Sequence, residues 1–573
     1  MKKNLTLLLI AIFPTILSAQ SISSTQQRKL TNAITAISTL YVDTINDKKI
    51  VESTISGILK DLDPHSVYIP KEEVERVNEP LEGSFEGVGI QFQLLNDTLL
   101  VAQTISGCPA AKVGVLPGDR IIYINAELIA GVKMQNSDIM KRLRGAKGTE
   151  VTVKVLRGDN PELITFKIIR DKIPIFSVDA TYMIGKDIGY IKVNSFGSTT
   201  HTEFIKAFTA LQKKGMKHLI LSLQGNGGGY LNTAQQLADE FLSRNKLIVY
   251  TQGLNQPKSV LESSALGRFE NGKLIVLVDE YSASASEIVS GALQDWDRAI
   301  IVGRRSFGKG LVQRPLQLID GSMIRLTTAR YYTPTGRCIQ KSYKDGADKY
   351  EHDLVDRFNN GELTNADSIH FPDSLRYQTL NLKRTVYGGG GIMPDIFVPF
   401  DTTKFTFIHR KLVALGIVNK VCVQYIDKNR NELKKKYPTF EKYKNDFQVD
   451  DAFINSLIEA AKKEKIDVYE AEPENKDLKK QLTSIIDKYK TKYNVDNELV
   501  EKLLNAELSQ KNTLKISDFE KSKPLIKLQL KALIARDLWE MNEYYQIMDA
   551  DNESLTKAIE ILQTPGAYEK ILK

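Results

Sequence analysis

Cysteine is scarce in this chain: three among 573 residues, Cys108, Cys338 and Cys422. An odd count at wide spacing supports neither a disulfide framework nor a zinc site, and leaves the pairing of any single bridge open. Histidine is almost as rare, with six: His65, His201, His218, His352, His370 and His409. No H-E-x-x-H segment exists to hold a catalytic zinc on a helix, and no histidine lies in a triad signature. His65, in Leu62-Asp63-Pro64-His65-Ser66, is the most tempting as a triad member. Past the first twenty residues no apolar run is long enough to cross a membrane. A strong charge of one sign is missing too. The 78 Lys+Arg and 70 Asp+Glu leave a net charge of only +8, and the lysine-rich stretch 401–573 is itself nearly neutral. Without a basic face, nothing points to nucleic acid as a partner.

The apolar content, 42% of residues, is ample for packed cores. At this length several domains are expected. Residues 1–19 read as a signal peptide: Met1-Lys2-Lys3 is the positive end, Leu5–Leu17 the apolar stretch, and Ser18-Ala19-Gln20 a cleavage site. No cysteine follows to carry a lipid. Export of a bacterial type, to the periplasm, is the expected fate, with membrane association if the signal is retained.

The richest chemistry lies in residues 274–313. An apolar strand, Leu274–Val278, runs into Ser282, Ser284 and Ser286 in alternation, then into a helical pattern. Ser284-Ala285-Ser286-Glu287 has the spacing of a capping box. A nucleophile at such a cap lies beside unpaired N–H groups at the positive end of the helix dipole, where an oxyanion could be held. Lys309 follows between Gly308 and Gly310. Gly303 to Lys309 fits the start of a phosphate-binding loop, but Gly310 replaces the Ser or Thr that would hold magnesium, which argues against nucleotide binding. A lysine serving as base must be neutral, which needs burial or a neighbouring cation. Upstream, the strand pattern Leu219–Leu223 leads into Gly225-Asn226-Gly227-Gly228-Gly229 and a helix from about Leu231. The dinucleotide fingerprint fails because Tyr230 stands at its third glycine position.

Residues 81–172 read as a separate module. Glu86-Gly87-Val88-Gly89-Ile90 precedes alternating apolar residues, and Asn136–Leu143 has helical spacing. Val151–Leu156 and Ile164–Ile169 alternate as strands do. Elsewhere, Leu30, Ile34, Ile37 and Leu40 share a helical face. So do Leu499, Leu503, Leu504 and Leu508, and Ile526, Leu530, Leu533 and Ile534. Residues 341–384 are polar, without sustained periodicity, and read as a loop insertion.

The run SASASEIVSGALQD followed by FGKGLVQ resembles the carboxyl-terminal processing, or tail-specific, proteases, over roughly residues 30–400. That resemblance implies a serine endopeptidase with Ser284 as nucleophile, Lys309 as base and Gln313 positioning the lysine. It implies an oxyanion hole from the Ala285 N–H and that of Gly228 or Gly229, with no metal and no cofactor. One departure stands out: the family's Asp and Arg at the strand end before the glycine loop are Ser222 and Gln224 here. The module 81–172 resembles a PDZ domain, in which N–H groups around Gly87, Val88, Gly89 and Ile90 would capture a peptide's terminal carboxylate along the strand from Ile90.

The expected architecture is multidomain α+β. A signal peptide (1–19) and an N-terminal helical region (20–80) precede the PDZ domain (81–172). A protease core follows (173–400, insertion about 341–384), an α/β fold of the crotonase/ClpP-like type, and then a C-terminal helical domain (401–573). Substrates would be exported proteins with exposed C-termini, and the helical tail could serve an adaptor or a homo-oligomer. The rival reading is a non-catalytic PDZ scaffold or chaperone on a protease frame. A Ser/His hydrolase of small esters is a further one.

Overall fold

The structure, a computed structural model, describes residues 22–468 and 517–572 apart from Asn96, Asp159 and Leu266. The signal segment and the Leu499–Leu508 face lie outside the described residues. Architecture is multidomain α+β, with helices at both ends around two sheet-based units.

The central sheet runs Val178–Ile184, Ile188–Val193, His218–Ser222, Leu274–Val278, Ile300–Gly303, Ile396–Phe397, the first pair antiparallel and the rest parallel. Parallel strands need cover on both faces, and the period-2 alternation shows how it is supplied. Leu219, Leu221, Leu274, Val276, Val278 and Ile301 face one core with Phe204, Leu237, Ile288 and Val289. Ile220, Ile275, Leu277, Ile300 and Val302 face the other, where Leu555, Ala558, Ile561, Leu562 and Tyr568 cover them. The stretch 401–573 therefore contributes to two cores. Its helices from Phe407–Ala414 to Asp518–Leu538 build one of their own, with Ile526, Leu530 and Ile534 buried and Leu533 partly so. Its final helices, Glu553–Gln563 and Ala567–Ile571, complete the cover of the central sheet.

In the PDZ module the sheet order is Ile90–Leu95, Thr98–Thr104, Arg120–Ile124, Glu150–Leu156, Ile164–Ile169. Asn136–Leu143 is a helix whose Ile139 and Leu143 enter that unit's core. Ile90–Leu95 is an edge strand, paired only with Thr98–Thr104. The N-terminal helix Ser24–Leu40 buries none of its residues. All three cysteines are free thiols.

The loop expected over 341–384 is corrected: it holds a helix, Ala347–Asn359, whose buried residues are Tyr350 and Arg357. Hydrophobic periodicity misses such a helix because it docks through a guanidinium. Arg357 is 2% exposed and donates to the carbonyls of Arg305 and Ser306 at 2.6 and 3.1 Å.

Candidate active site

Three adjacent parallel strands end at one edge of the core sheet, and a loop leaves each. The glycine loop follows His218–Ser222, the serine segment follows Leu274–Val278, and the lysine loop follows Ile300–Gly303. The carboxyl edge of a parallel sheet is where such folds build their sites. Residues some 80 positions apart thus meet because of strand order.

The three serines divide cleanly. Ser282 Oγ donates to the Leu223 carbonyl and Ser286 Oγ to the Asn226 carbonyl, both at 2.8 Å and both fully buried. These two stitch the serine segment to the glycine loop. Ser284 is partly exposed and stands in the expected capping box with Glu287, its hydroxyl turned to the Glu287 N–H without closing a full hydrogen bond and its own N–H held by the Glu287 carboxylate. Its backbone holds φ 53°, ψ −110° as the N-cap of Ala285–Asp295. A non-glycine residue in that region stores strain of order 1–3 kcal/mol, the device by which a nucleophile elbow presents its hydroxyl. No sequence pattern announces this conformation.

Glu287 was legible only as a capping partner; the structure gives it a larger task. Its carboxylate is fully buried. Oε1 accepts from Ser306 Oγ at 2.5 Å and Gly308 N–H at 2.7 Å, while Oε2 accepts from Ser284 N–H at 2.8 Å and Lys309 N–H at 2.9 Å. One oxygen thus ties the backbones of Ser284 and Lys309 together. Burial pushes the carboxyl up, and the four donors oppose it. Across from it, the Tyr331 hydroxyl lies 3.1 Å from the Ser284 carbonyl and 2.7 Å from that of Lys309. In the sequence Glu287 reads only as a capping partner and Tyr331 only as the start of Tyr331–Arg337, a segment that resembles the family's strand after the dyad; neither bridging task is visible there.

Lys309 Nζ donates to Gln313 Oε1 at 3.2 Å. Gln313 Nε2 donates to the His65 carbonyl, which can only accept, so the orientation of the amide follows. Burial, with the charge of Arg325, depresses the Lys309 pKa, against the pull of Glu287 and Asp63. A depressed lysine is what a base at moderate pH requires.

Ala285 N–H, first in its helix, has no intrahelical acceptor. Gly228 lies against it: a Cβ there would sit 2.8 Å from Ser284 Cβ and 3.0 Å from Ala285 N, at φ +103°. Only glycine fits on both counts. The Gly228 N–H, however, donates to Asn226 Oδ1 at 2.8 Å, whereas no protein acceptor is recorded for Gly229 N–H among the described residues. Ser222 lies fully buried below the loop. Gln224 is held through its carbonyl by Lys192 Nζ and through Oε1 by Asn552 Nδ2, both at 2.8 Å.

In the PDZ unit, Gly87 pairs with Asp171, and the carbonyls of Val88 and Gly89 accept from Ala110 and Ile105. Among the described residues the N–H groups of Val88 and Gly89 meet no protein acceptor, beside the edge strand starting at Ile90. His65 accompanies the lysine rather than the serine. Among the described residues no cluster of three His, Cys, Asp or Glu could hold a metal.

Peptidase family S41 matches residues 187–347, a PDZ domain 87–168, and the N-terminal domain of the activating protease CtpB 14–73. A family of unknown function, DUF8443, matches 408–487 and 474–540. The carboxy-terminal-processing protease of Bartonella bacilliformis is 36% identical over 337 residues, 57% of this chain and 76% of that protein. The chain belongs to the carboxy-terminal processing proteases. It is a serine-type peptidase with a PDZ domain. CtpB of Bacillus subtilis, a carboxy-terminal processing protease, is 34% identical over 58% of this chain and 69% of that one. Among solved structures, the photosystem II D1 C-terminal processing protease is 27% identical, covering 56% of this chain and 90% of its own, with a TM-score of 0.31. The protease's family membership rests on the sequence relatives.

Proposed function

We propose that this protease cleaves exported proteins selected by their C-termini, through an acyl-enzyme made by a Ser284/Lys309 dyad. The observation that carries the reading is the shared Glu287 carboxylate, which brings a backbone-strained serine and a partly desolvated lysine to one sheet edge. Neutral Lys309 takes the Ser284 proton as Oγ attacks the scissile carbonyl. The N–H groups of Ala285 and Gly229 hold the oxyanion. The lysine then gives its proton to the departing amine, leaving Ser284 acylated. Water attacks the acyl carbon as Lys309 takes its proton, and as the second tetrahedral intermediate collapses the bond to Ser284 Oγ breaks, Lys309 returns the proton to that oxygen, and the acid leaves. Gln313 keeps the lysine in place throughout.

The free N–H groups of Val88 and Gly89, next to an open sheet edge, suit capture of a substrate's terminal carboxylate with its chain added along Ile90–Leu95. Export follows from the N-terminal pattern, and fractionation of cells expressing the full chain tests it. None of the described helices is long and apolar enough to cross a membrane.

The deciding experiment is degradation of an unstructured protein with a free apolar tail by wild type, Ser284→Ala and Lys309→Ala. Cleavage by wild type alone is expected. Binding without cleavage by wild type would instead favour the scaffold reading, and full activity of either variant would end the dyad mechanism. Deleting residues 81–172 is expected to abolish preference for that tail; an unchanged preference, measured against an amidated tail, would refute the PDZ role.

A further inference from the structure

Lys309 is oriented by Gln313, but what orients Gln313 comes from elsewhere in the chain. Its Nε2 donates to the carbonyl of His65, in the turn Leu62–Ser66. That turn is docked on the strand Met323–Tyr332 through Asp63, which accepts from Ser66 Oγ at 2.6 Å and Thr327 Oγ1 at 3.1 Å. The His65 ring, in turn, meets the insertion helix Ala347–Asn359. His65 Nε2 is 2.8 Å from the Tyr350 hydroxyl, with the rings edge to face at 5.2 Å.

Tyr350 also closes the chain on the lysine's other side. Gly310 N–H donates to Gln340 Oε1 at 2.8 Å, which fixes that amide's orientation and leaves Gln340 Nε2 as the donor to Tyr350 Oη at 3.3 Å. Tyr350 accepts there, so its own proton is free for His65 Nε2. A continuous path therefore runs Lys309, Gln313, His65, Tyr350, Gln340, Gly310, and returns to the residue after the lysine. Tyr350 is 4% exposed, too buried to touch substrate. Lys341 lies over its ring at 4.1 Å and over that of Phe307 at 4.1 Å.

We propose that Tyr350, on the insertion helix, is a positioning residue for Lys309, acting through His65 and Gln313 to hold the amine in place. The insertion is then part of the catalytic apparatus. This rests on the dyad reading above. The charges facing Lys309 are Arg325, Glu287 and Asp63; those facing His65 are Lys309, Asp63 and Lys341. Burial pushes His65 down to about 4, so at neutral pH the ring is uncharged and its Nε2 shares a hydrogen bond with the Tyr350 hydroxyl. Loss of that hydroxyl takes away the bond on the His65 ring and leaves the carbonyl that holds Gln313 steadied only by Asp63, which accepts the His65 N–H at 2.8 Å. A loosened Lys309 gains hydration, which favours its charged form and leaves less neutral base.

The test is the rate at which an organophosphonate probe modifies Ser284, followed across pH for wild type and Tyr350→Phe. This readout needs no peptide substrate. Tyr350→Phe keeps both ring contacts and removes one hydroxyl. The expected result is labelling about tenfold slower at neutral pH, the scale one buried hydrogen bond commands, with the rising limb displaced to higher pH. Superimposable profiles would overturn the proposal, and so would a uniform slowing with no displacement. If Tyr350→Phe melts early, His65→Phe removes the same bond from its other end, leaves the residue 65 carbonyl in place for Gln313, and carries the same expectation and the same refutation. Wild type that is not labelled at Ser284, or labelling indifferent to Lys309→Ala, would mark failure of the dyad reading itself.

Discussion

The lysine loop and the glycine loop approach Ser284 from neighbouring strands, yet they are held by opposite means. Residues 303–310 are anchored by ionised or strongly polar side chains from distant segments: Glu287 from the serine helix, Arg357 from the insertion helix, and Glu362, which pairs with Arg305 at 2.5 Å. Residues 225–229 are anchored mostly by neutral groups and by backbone shape. Asn226 donates to the Val193 carbonyl at 2.9 Å and accepts from Gly228 N–H, while Phe196 N–H donates to the Gly228 carbonyl at 3.0 Å. The one carboxylate there is Asp279, accepting from Gly225 N–H at 3.0 Å. The difference follows from the tasks proposed for them. A loop that keeps an amine partly dry must be rigid without offering that amine a direct counter-charge, and Glu287 meets the loop's backbone instead. A loop that offers N–H groups must stay lean, so small residues and main-chain bonds serve it.

That contrast predicts a ranking. Glu287→Leu strands four donors at once and is expected to cost about 4 kcal/mol or more of stability, with turnover lost. Denaturant unfolding measures it, and a cost near that of an ordinary surface change would erase the distinction between the loops. Asn226→Ala strands the Val193 carbonyl and the Gly228 N–H. About 2 kcal/mol is expected, with kcat lowered about a hundredfold as the glycine loop loses its shape. Equal costs for the two variants would mean that both loops are held alike.

The smallest effect is a pH dependence of stability. Lys309 has a folded pKa below its ordinary 10.5 because burial disfavours the charged form. Below the folded value the amine is charged in both states and the native state carries the full penalty. The penalty fades as pH rises from that value toward 10.5. Lys309→Met is therefore expected to raise Tm at neutral pH, by an amount that shrinks in alkali. A gain that grows with pH would show the lysine to be stabilised, not strained, by its loop.

Much of this was legible in the residues themselves. Val151–Leu156 and Ile164–Ile169 alternate and are strands. Asn136–Leu143 has helical spacing and is a helix. Leu274–Val278, apolar throughout, is a strand buried on both sides. The motif stretch pointed to Ser284, Lys309 and Gln313, which do stand close to one another. Legibility ended where burial is achieved by polar groups. The helix Ala347–Asn359 docks through Arg357 and Tyr350, so apolar periodicity passes over it. Gly228 looked as able a donor as Gly229 until Asn226 was seen to occupy its N–H.

By itself the sequence determined the local items: which segments alternate, which glycines and serines stand where strands end, and which family motif they compose. These depend on residues a few positions apart. Tertiary structure decided what depends on strand order. It set three loops side by side, chose among three serines by bonding two of them, and brought Glu287 between nucleophile and base. It also laid Leu555–Tyr568 over a sheet face whose strands lie some 250 to 350 residues earlier. Such contacts arise between segments whose separation along the chain carries no periodic signal, so only the packed fold reveals them.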